Sequence, residues 1–397
     1  MGQNVRSWLR HVLCMGTGLW ALWACATERA ELTVQRSDSA GVEIVVSDGS
    51  DRTLGWRFDR LFALGGADEG PESFFRMSVW RVGADARGNL FILDAEDARV
   101  VVFDEDGQFV RSMGGRGGGP GEFQMPASLS VSSEGAVAVF DFAKGSLVRF
   151  DEQGRVDDEQ LLPIFPSPNN QRHFEHRHDT TLVSAATATP DGSGLRQVLR
   201  QIIHADTLVL LEVTLPPPEL ALYEECGGGL RTPPIFAPEI AWATQPGRVA
   251  VSPSAEYSVS FWEAGSVARI VRRDIAPIAA TRDQAILHLG EGYRINFGHG
   301  PCLIDPVEMV DKRGYDDIVP LIGSVLLSPS GELWVQRFTV DQGAPKPIDV
   351  FDAQGAYVGT LERESFAPVI LLPDDRVGVV EKDEFDVERL AVFAIHR

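Results

Sequence analysis

Apolar and polar residues alternate with a period of two in short runs, such as Leu90 and Ile92 or Val137 and Val139, and Gly- and Asp-rich turns separate the runs. That period predicts strands with one side facing a core. The runs recur. Gly88-Asn89-Leu90-Phe91-Ile92-Leu93-Asp94 matches Gly135-Ala136-Val137-Ala138-Val139-Phe140-Asp141 at an offset of 47 residues. Phe103-Asp104-Glu105-Asp106-Gly107 matches Phe150-Asp151-Glu152-Gln153-Gly154 at the same offset. Ahead of these, Leu64-Gly65-Gly66 through Gly70-Pro71 and Phe74 matches Met113-Gly114-Gly115 through Gly119-Pro120 and Phe123 at 49. Asp106-Gly107 supplies the positive φ of a tight hairpin turn. A unit of three or four short strands in this length is the size of one propeller blade; a solenoid coil is shorter, and helical pairs carry a 3.6 period.

Weaker copies follow. Gly331-Glu332-Leu333-Trp334-Val335 leads to Val350-Phe351-Asp352-Ala353-Gln354-Gly355, and Asp375–Val380 leads to Leu390–Phe393. Gly247–Val251 leads to Phe261 and Gly265, four apart as Phe103 and Gly107 are. Thr181–Val183 with Val198–Leu211 is the most degenerate copy. The units fall at about 67–113, 114–160, 165–218, 235–277, 318–362 and 363–397. The fold class is therefore all-β, a six-bladed β-propeller over 41–397, with five or seven blades left open by the third unit. Gly41–Val46 and Trp56–Leu64 read as strands with no blade upstream. Trp56–Leu64 aligns with Gln108–Met113 and is expected to complete the last blade, removing an exposed sheet edge. Residues 281–318 lack strand alternation, and Asp305-Pro306 marks a helix start. A partly helical insertion between blades four and five is expected there, either as part of a binding face or as a brace.

Composition adds an address and exclusions. Residues 1–24 read as a signal peptide: Arg6, Arg10 and His11 precede an apolar run, Val12–Trp23, too short to span a bilayer. Leu22-Trp23-Ala24-Cys25 has the form of a lipobox that makes Cys25 a lipidated first residue, with 25–40 as linker; ordinary cleavage near Ala24 or Ala26 is the other reading. The 397 residues carry 36 Lys+Arg against 57 Asp+Glu, net −21. Loss of 1–24 takes Arg6 and Arg10 and no acid, deepening this to −23. Acid spread along the chain argues against nucleic acid or an anionic membrane surface as a partner. Processing leaves Cys226 and Cys302, either as one disulfide or as two free buried thiols.

The Gly-rich stretch, Gly119-Pro120-Gly121-Glu122-Phe123, Pro126, a strand and then Val-x-Phe-Asp-x-x-Gly resembles the NHL repeat. More closely, the chain is similar to bacterial exported and lipoprotein six-bladed β-propellers of the TolB-like superfamily, whose entry pattern stands here as Ser39-Ala40-Gly41-Val42. The resemblance covers most of 37–397 and implies the fold; proteins of this kind serve as binding scaffolds, lyases and lactonases alike. Where relatives of this fold carry zinc- or calcium-assisted chemistry, the ligands come from different blades converging on the channel, and no such set is recognisable in this sequence.

Among chemistry-bearing residues, Asp94, Asp141, Asp104, Asp151 and Asp352 repeat with the blades, and a carboxylate capping turn N–H groups accounts for them. The loop Gly114–Gly121 lacks the Lys-Ser/Thr and following helix of a phosphate loop and reads as a connector between blades, with Arg116 a candidate ligand contact. His173, His176 and His178 cluster with Glu175 and Asp179, and His176 and His178 would share one face of a strand as two ligands of one metal do. Solvated imidazoles are the plainer reading, and no catalytic residue is assigned. The leading function is a non-enzymatic, envelope-anchored scaffold, a monomer held to the membrane by its lipid alone, facing the periplasm or cell exterior and binding a protein, peptide or glycan. No cofactor is expected, zinc or calcium being the candidates if there is one. The alternatives are a metal-assisted hydrolase or lyase working at the channel, and a structural subunit of an envelope complex.

Overall fold

The computed structural model describes residues 33–66, 73, 81–162, 174–177, 180–189, 195–203, 206–215, 219–298, 300–362, 366–382 and 387–397. The leader, Cys25 and the linker as far as residue 32 lie outside them. The described chain enters through a hairpin, β1 (Val34–Ser39) and β2 (Val42–Ser47), and a longer strand, β3 (Arg57–Leu64). Blade 1 is β4 (Val82–Ala84), β5 (Leu90–Asp94), β6 (Arg99–Phe103) and β7 (Phe109–Gly114). Blade 2 is β8 (Pro126–Val131), β9 (Val137–Asp141), β10 (Ser146–Phe150) and β11 (Val156–Leu161). Blade 3 is β12 (Phe174–Arg177), β13 (Thr180–Ala188), β14 (Leu195–Ile203) and β15 (Asp206–Leu215). A small hairpin, β16 (Leu220–Tyr223) and β17 (Gly228–Arg231), precedes blade 4, which is β18 (Ile240–Gln245), β19 (Arg248–Pro253), β20 (Ser258–Glu263) and β21 (Ser266–Arg273). Next come β22 (Ile278–Ala279), α1 (Arg282–Leu289), β23 (Tyr293–Asn296), β24 (Pro301–Ile304), α2 (Pro306–Arg313) and β25 (Ile318–Val319). Blade 5 is β26 (Ile322–Leu327), β27 (Leu333–Arg337), β28 (Ile348–Phe351) and β29 (Tyr357–Leu361); β30 (Pro368–Leu372), β31 (Arg376–Lys382) and β32 (Glu388–His396) begin blade 6.

The protein is thus an all-β six-bladed propeller. First strands of neighbouring blades touch between blades 1 and 2, 2 and 3, 4 and 5, 5 and 6, and 6 and 1, which closes the ring between its ends. β3 completes blade 6 by pairing with β32, from Arg57↔His396 to Leu64↔Leu390, as the sequence alignment of Trp56–Leu64 predicts. Middle strands are buried on both faces between blades, so β5 and β9 are buried at every position, whereas the outer strand β11 is exposed throughout. The core lies between blades: Phe91, Val102 and Phe123 interlock with Val139 and Phe150 between blades 1 and 2, and Val259 and Val271 with Val335 and Phe351 between blades 4 and 5.

Four antiparallel strands per blade give the ring two distinct rims. First-to-second and third-to-fourth turns share one, here called the turn rim; second-to-third turns and the connections between blades share the other, the entry rim. β2 runs parallel to β21 (Glu43↔Arg269 to Ser47↔Arg273), adding a fifth strand to blade 4, and β1 adds a sixth. The chain then crosses blade 5, where Leu54 N–H donates to Thr360 O at 2.9 Å and Thr360 N–H to Arg52 O at 2.7 Å. The N-terminal segment is therefore a belt over the outer edges of blades 4 and 5 before it becomes the edge of blade 6.

An ionic network locks the belt in place. Asp349, with a fully buried side chain, accepts from Arg273 Nη1 (3.0 Å), Arg337 Nε (2.9 Å) and Nη2 (2.8 Å), Thr360 Oγ1 (2.6 Å) and Tyr257 Oη. Arg273, also fully buried, reaches Ser50 O at 2.7 Å and Asp51 Oδ1 at 3.0 Å. Hydrogen bonding from Arg337 holds the Asp51 carboxyl below its usual range against the opposing effect of burial. Burial pushes the Tyr257 hydroxyl well above its usual value, so it stays a donor. The two cations and two anions balance, and only as a set can they be stable at this depth.

Two inter-blade segments form a cap on the entry rim at blade 4. The second is the expected insertion, with Asp305 capping α2 through Val307 and Glu308 N–H groups and Pro306 at the first helical position. The first, residues 219–239, carries the β16–β17 hairpin, which falls in the gap between the third and fourth repeat units, 165–218 and 235–277, where the sequence pattern predicts no element. Ala221, Tyr223 and Cys226 of one segment pack on Ile304 and Met309 of the other. Cys226 and Cys302 are joined by a disulfide with Cα atoms 5.6 Å apart, so the covalent loop encloses all of blade 4.

Candidate functional site

The repeated aspartates serve turns. Asp104 Oδ1 accepts from the N–H groups of residues 106 and 108, Asp151 Oδ1 from 153 and 155, and Asp352 Oδ1 from 354 and 356, all between 2.8 and 3.1 Å. Asp141 accepts from Gln124 N–H at 2.6 Å and Lys144 N–H at 3.1 Å, tying a turn to the preceding connector; Asp94 accepts from Asp97 N–H at 3.2 Å and Arg99 Nε at 3.0 Å. The Gly-rich loop folds over the fully buried Phe123: a Cβ on Gly114 would lie 2.3 Å from its ring. Arg116, exposed on the entry rim, donates to the backbone oxygen of Glu96.

His176 lies on β12, where Ser130 Oγ donates to its carbonyl (2.9 Å) and accepts its N–H (3.0 Å), stitching blades 2 and 3 together. Its Nδ1 is 2.8 Å from Thr181 Oγ1 and its Nε2 faces the Arg149 guanidinium at 3.5 Å. A cation seated at that imidazole would meet the guanidinium charge. His173, His178 and Asp179 lie outside the described residues, as does the Glu175 side chain. Among the described residues no three His, Cys, Asp or Glu side chains converge as a metal site requires.

A different place has the form of a binding site. On the turn rim between blades 3 and 4 a cleft of about 490 Å³ opens, within the range of small-ligand sites. Its apolar walls are Leu182 of β13, Leu208 of β15, Val249 of β19 and Trp262 of β20. Hydroxyl and amide groups surround them: Thr180, Thr207, Thr244, Gln201 and Gln245. Of the two charged side chains lining it, Arg248 is paired with Glu263 at 2.6 Å, leaving Asp206 at the mouth. Thr244 is 9% exposed, and its Oγ1 has no hydrogen-bond partner among the described residues. Such a group costs stability unless something satisfies it.

A departure from the repeat makes the cleft. Phe-Asp-x-x-Gly stands at 103–107, 150–154 and 351–355, whereas blade 4 reads Phe261-Trp262-Glu263-Ala264-Gly265. The turn glycines share a left-handed φ, 81° at Gly107, 80° at Gly154, 79° at Gly355 and 80° at Gly265. Each packs toward the outer strand of the preceding blade. A Cβ would meet Phe62 at 2.6 Å from Gly107, Arg111 at 3.0 Å from Gly154 and Val271 at 2.6 Å from Gly355, but Leu208 only at 3.7 Å from Gly265. Blade 4 therefore replaces the turn carboxylate by an indole and packs most loosely against its neighbour at that spot. Position 262 is legible in the sequence, because Phe261 and Gly265 keep the spacing of the three Phe-Asp-x-x-Gly pentads while Trp262 breaks it. A second cleft on this rim, about 620 Å³ between blades 1 and 2, is lined by charged and polar groups such as Arg87, Arg111, Glu134 and Glu152, without an aromatic wall.

The model of a family described as a 6-bladed beta-propeller (DUF5128) matches residues 72–179, the stretch of blades 1 and 2 and the start of blade 3. No curated protein matches the sequence. Among solved structures, a Bacteroides fragilis protein designated as exported is similar at 13% identity over 89% of this chain and 100% of that one, with a TM-score of 0.47. A DUF4221-family member from Bacteroides vulgatus is similar at 11% over 88% and 98%, TM-score 0.46, and a Xanthomonas campestris gluconolactonase at 13% over 81% and 88%, TM-score 0.38. Among the described residues no helix is long and apolar enough to cross a membrane.

Proposed function

We propose that the protein is an exported, envelope-anchored scaffold that works by binding, and that its ligand seats in the cleft between blades 3 and 4. The supporting observation is the coincidence at one corner of Trp262 in place of the turn aspartate, the loosened Gly265 contact and the unpartnered buried hydroxyl of Thr244. An aromatic wall with neutral donors and acceptors around it suits an uncharged or weakly charged ligand with an apolar face.

The test is a thermal-shift screen of the purified protein against saccharides and peptides, with Trp262→Ala in parallel. Ligands that raise the melting temperature of the wild type and not of Trp262→Ala support the reading. Hits that stabilise both proteins equally place the ligand elsewhere, and conversion of a hit to product makes the protein an enzyme.

A further inference from the structure

The outer edges of the blades are not treated alike. Blade 4 is covered by β2 and β1, blade 5 by the Arg52–Leu54 crossing, and blade 6 has β3 as its fourth strand. Among the described residues, blades 1, 2 and 3 end in strands with no neighbour outside them: β7, β11 and β15. β7 and β11 have six residues each, and β11 carries Asp157, Asp158 and Glu159, charges that guard an edge against pairing. β15 has ten residues, DTLVLLEVTL. Its one mid-strand charge, Glu212, is bound to Arg196 at 2.6 Å, and Leu208 and Val209 are 39% and 44% exposed. A long, apolar, unguarded edge is what proteins avoid unless something pairs with it.

This edge runs into the cleft: Thr207 and Leu208 of β15 are both part of its wall. We infer that the ligand of the cleft is an extended peptide, which adds to β15 as a fifth strand and places an apolar side chain against Trp262. The inference rests on the cleft being the binding site and goes further by naming the ligand class. A row of backbone N–H and C=O groups is complementary to another polypeptide backbone, whereas a sugar cannot follow its repeat; main-chain pairing gives affinity and the pocket gives the choice of side chain. The molecule already contains one such docking, because β2 lies on the outer edge of blade 4 in just this way. With a chain of net −21 and Asp206 at the cleft mouth, the complementary peptide is neutral to basic.

The experiment selects a random heptapeptide phage library and probes a glycan array with the full-length protein. Enriched peptides are then synthesised with and without N-methylation of alternate backbone amides. The expected result is peptides whose affinity falls about tenfold or more in Trp262→Ala, which lose binding on N-methylation, and which slow amide hydrogen exchange along Thr207–Val213. Absence of enriched peptides, or peptides that bind without protecting β15, overturns the inference. Glycans bound in a Trp262-dependent manner overturn it while sustaining the cleft as the site; ligands of either kind that ignore Trp262 overturn both.

Discussion

Replacing Cys226 or Cys302 by serine cuts the covalent link that brackets blade 4. The two cysteines are 76 residues apart in sequence, and their Cα atoms lie 5.6 Å apart. In the chain-entropy account, closing a loop of this length removes roughly 15 cal/mol/K from the unfolded chain, or about 4.5 kcal/mol at 25 °C. The folded contacts that remain, Ala221 and Tyr223 on Ile304 and Met309, keep the cap in place, so the loss acts through the unfolded state. Urea unfolding followed by tryptophan fluorescence reads it. Cys226→Ser, Cys302→Ser, the double variant and the reduced wild type are expected to be equally destabilised, each by up to about 4.5 kcal/mol. Shifts under about 1 kcal/mol in all four would refute the reasoning, since the link would then constrain nothing. Unequal single variants would assign the effect to side-chain packing. Mass mapping of the unfolded, unreduced protein completes the test: free thiols at 226 and 302 would mean the pair is not bonded.

Gly355→Ala and Gly265→Ala share a strained φ near 80°, but only the first drives its Cβ into a neighbour, Val271 at 2.6 Å. Gly355→Ala is therefore expected to cost about 1–3 kcal/mol more by chemical denaturation, and equal costs would show that the blade 3–4 junction is as tight as the others. Asp349→Asn leaves the buried Arg273 with only the half-exposed Asp51 as its anion and is expected to destabilise by about 3–5 kcal/mol, more than Asp51→Asn at the outer end of the network; the reverse order would refute the view that Asp349 is its centre. Asp51 titrates below its ordinary 3.8, so the stability it contributes is present above that pH and is lost as pH falls through its lowered value. Asp51→Asn should flatten that acid limb of a stability-against-pH curve.

The fold was legible because blades 1 and 2 use five-residue middle strands with Asp-capped turns at constant spacing, a local pattern that needs no tertiary information. Blade 3 was blurred for a visible reason: β13, β14 and β15 run nine, nine and ten residues, so no fixed offset registers them. The β16–β17 hairpin has two four-residue strands and forms only against a segment some 80 residues later, which leaves no local trace. The Arg273–Asp349 network is likewise assembled from distant positions. The cleft differs, because Phe-Trp-x-x-Gly at 261–265 can be seen once the three Phe-Asp-x-x-Gly pentads are set beside it.

Ring closure has a consequence for biosynthesis. Arg57 faces His396 in the sheet of blade 6, so the two strands of that edge are synthesised more than 300 residues apart, with all of blades 1 to 5 between them. Until β32 arrives, β3 presents a raw strand edge, and the closing contact carries the entropy of a loop of more than 300 residues. A chain that stops short of β32 cannot hide that edge by local rearrangement. Synthesis of β32 is thereby coupled to loss of a surface that chaperones and proteases recognise, and a product truncated before it differs from one that carries it by a single missing strand.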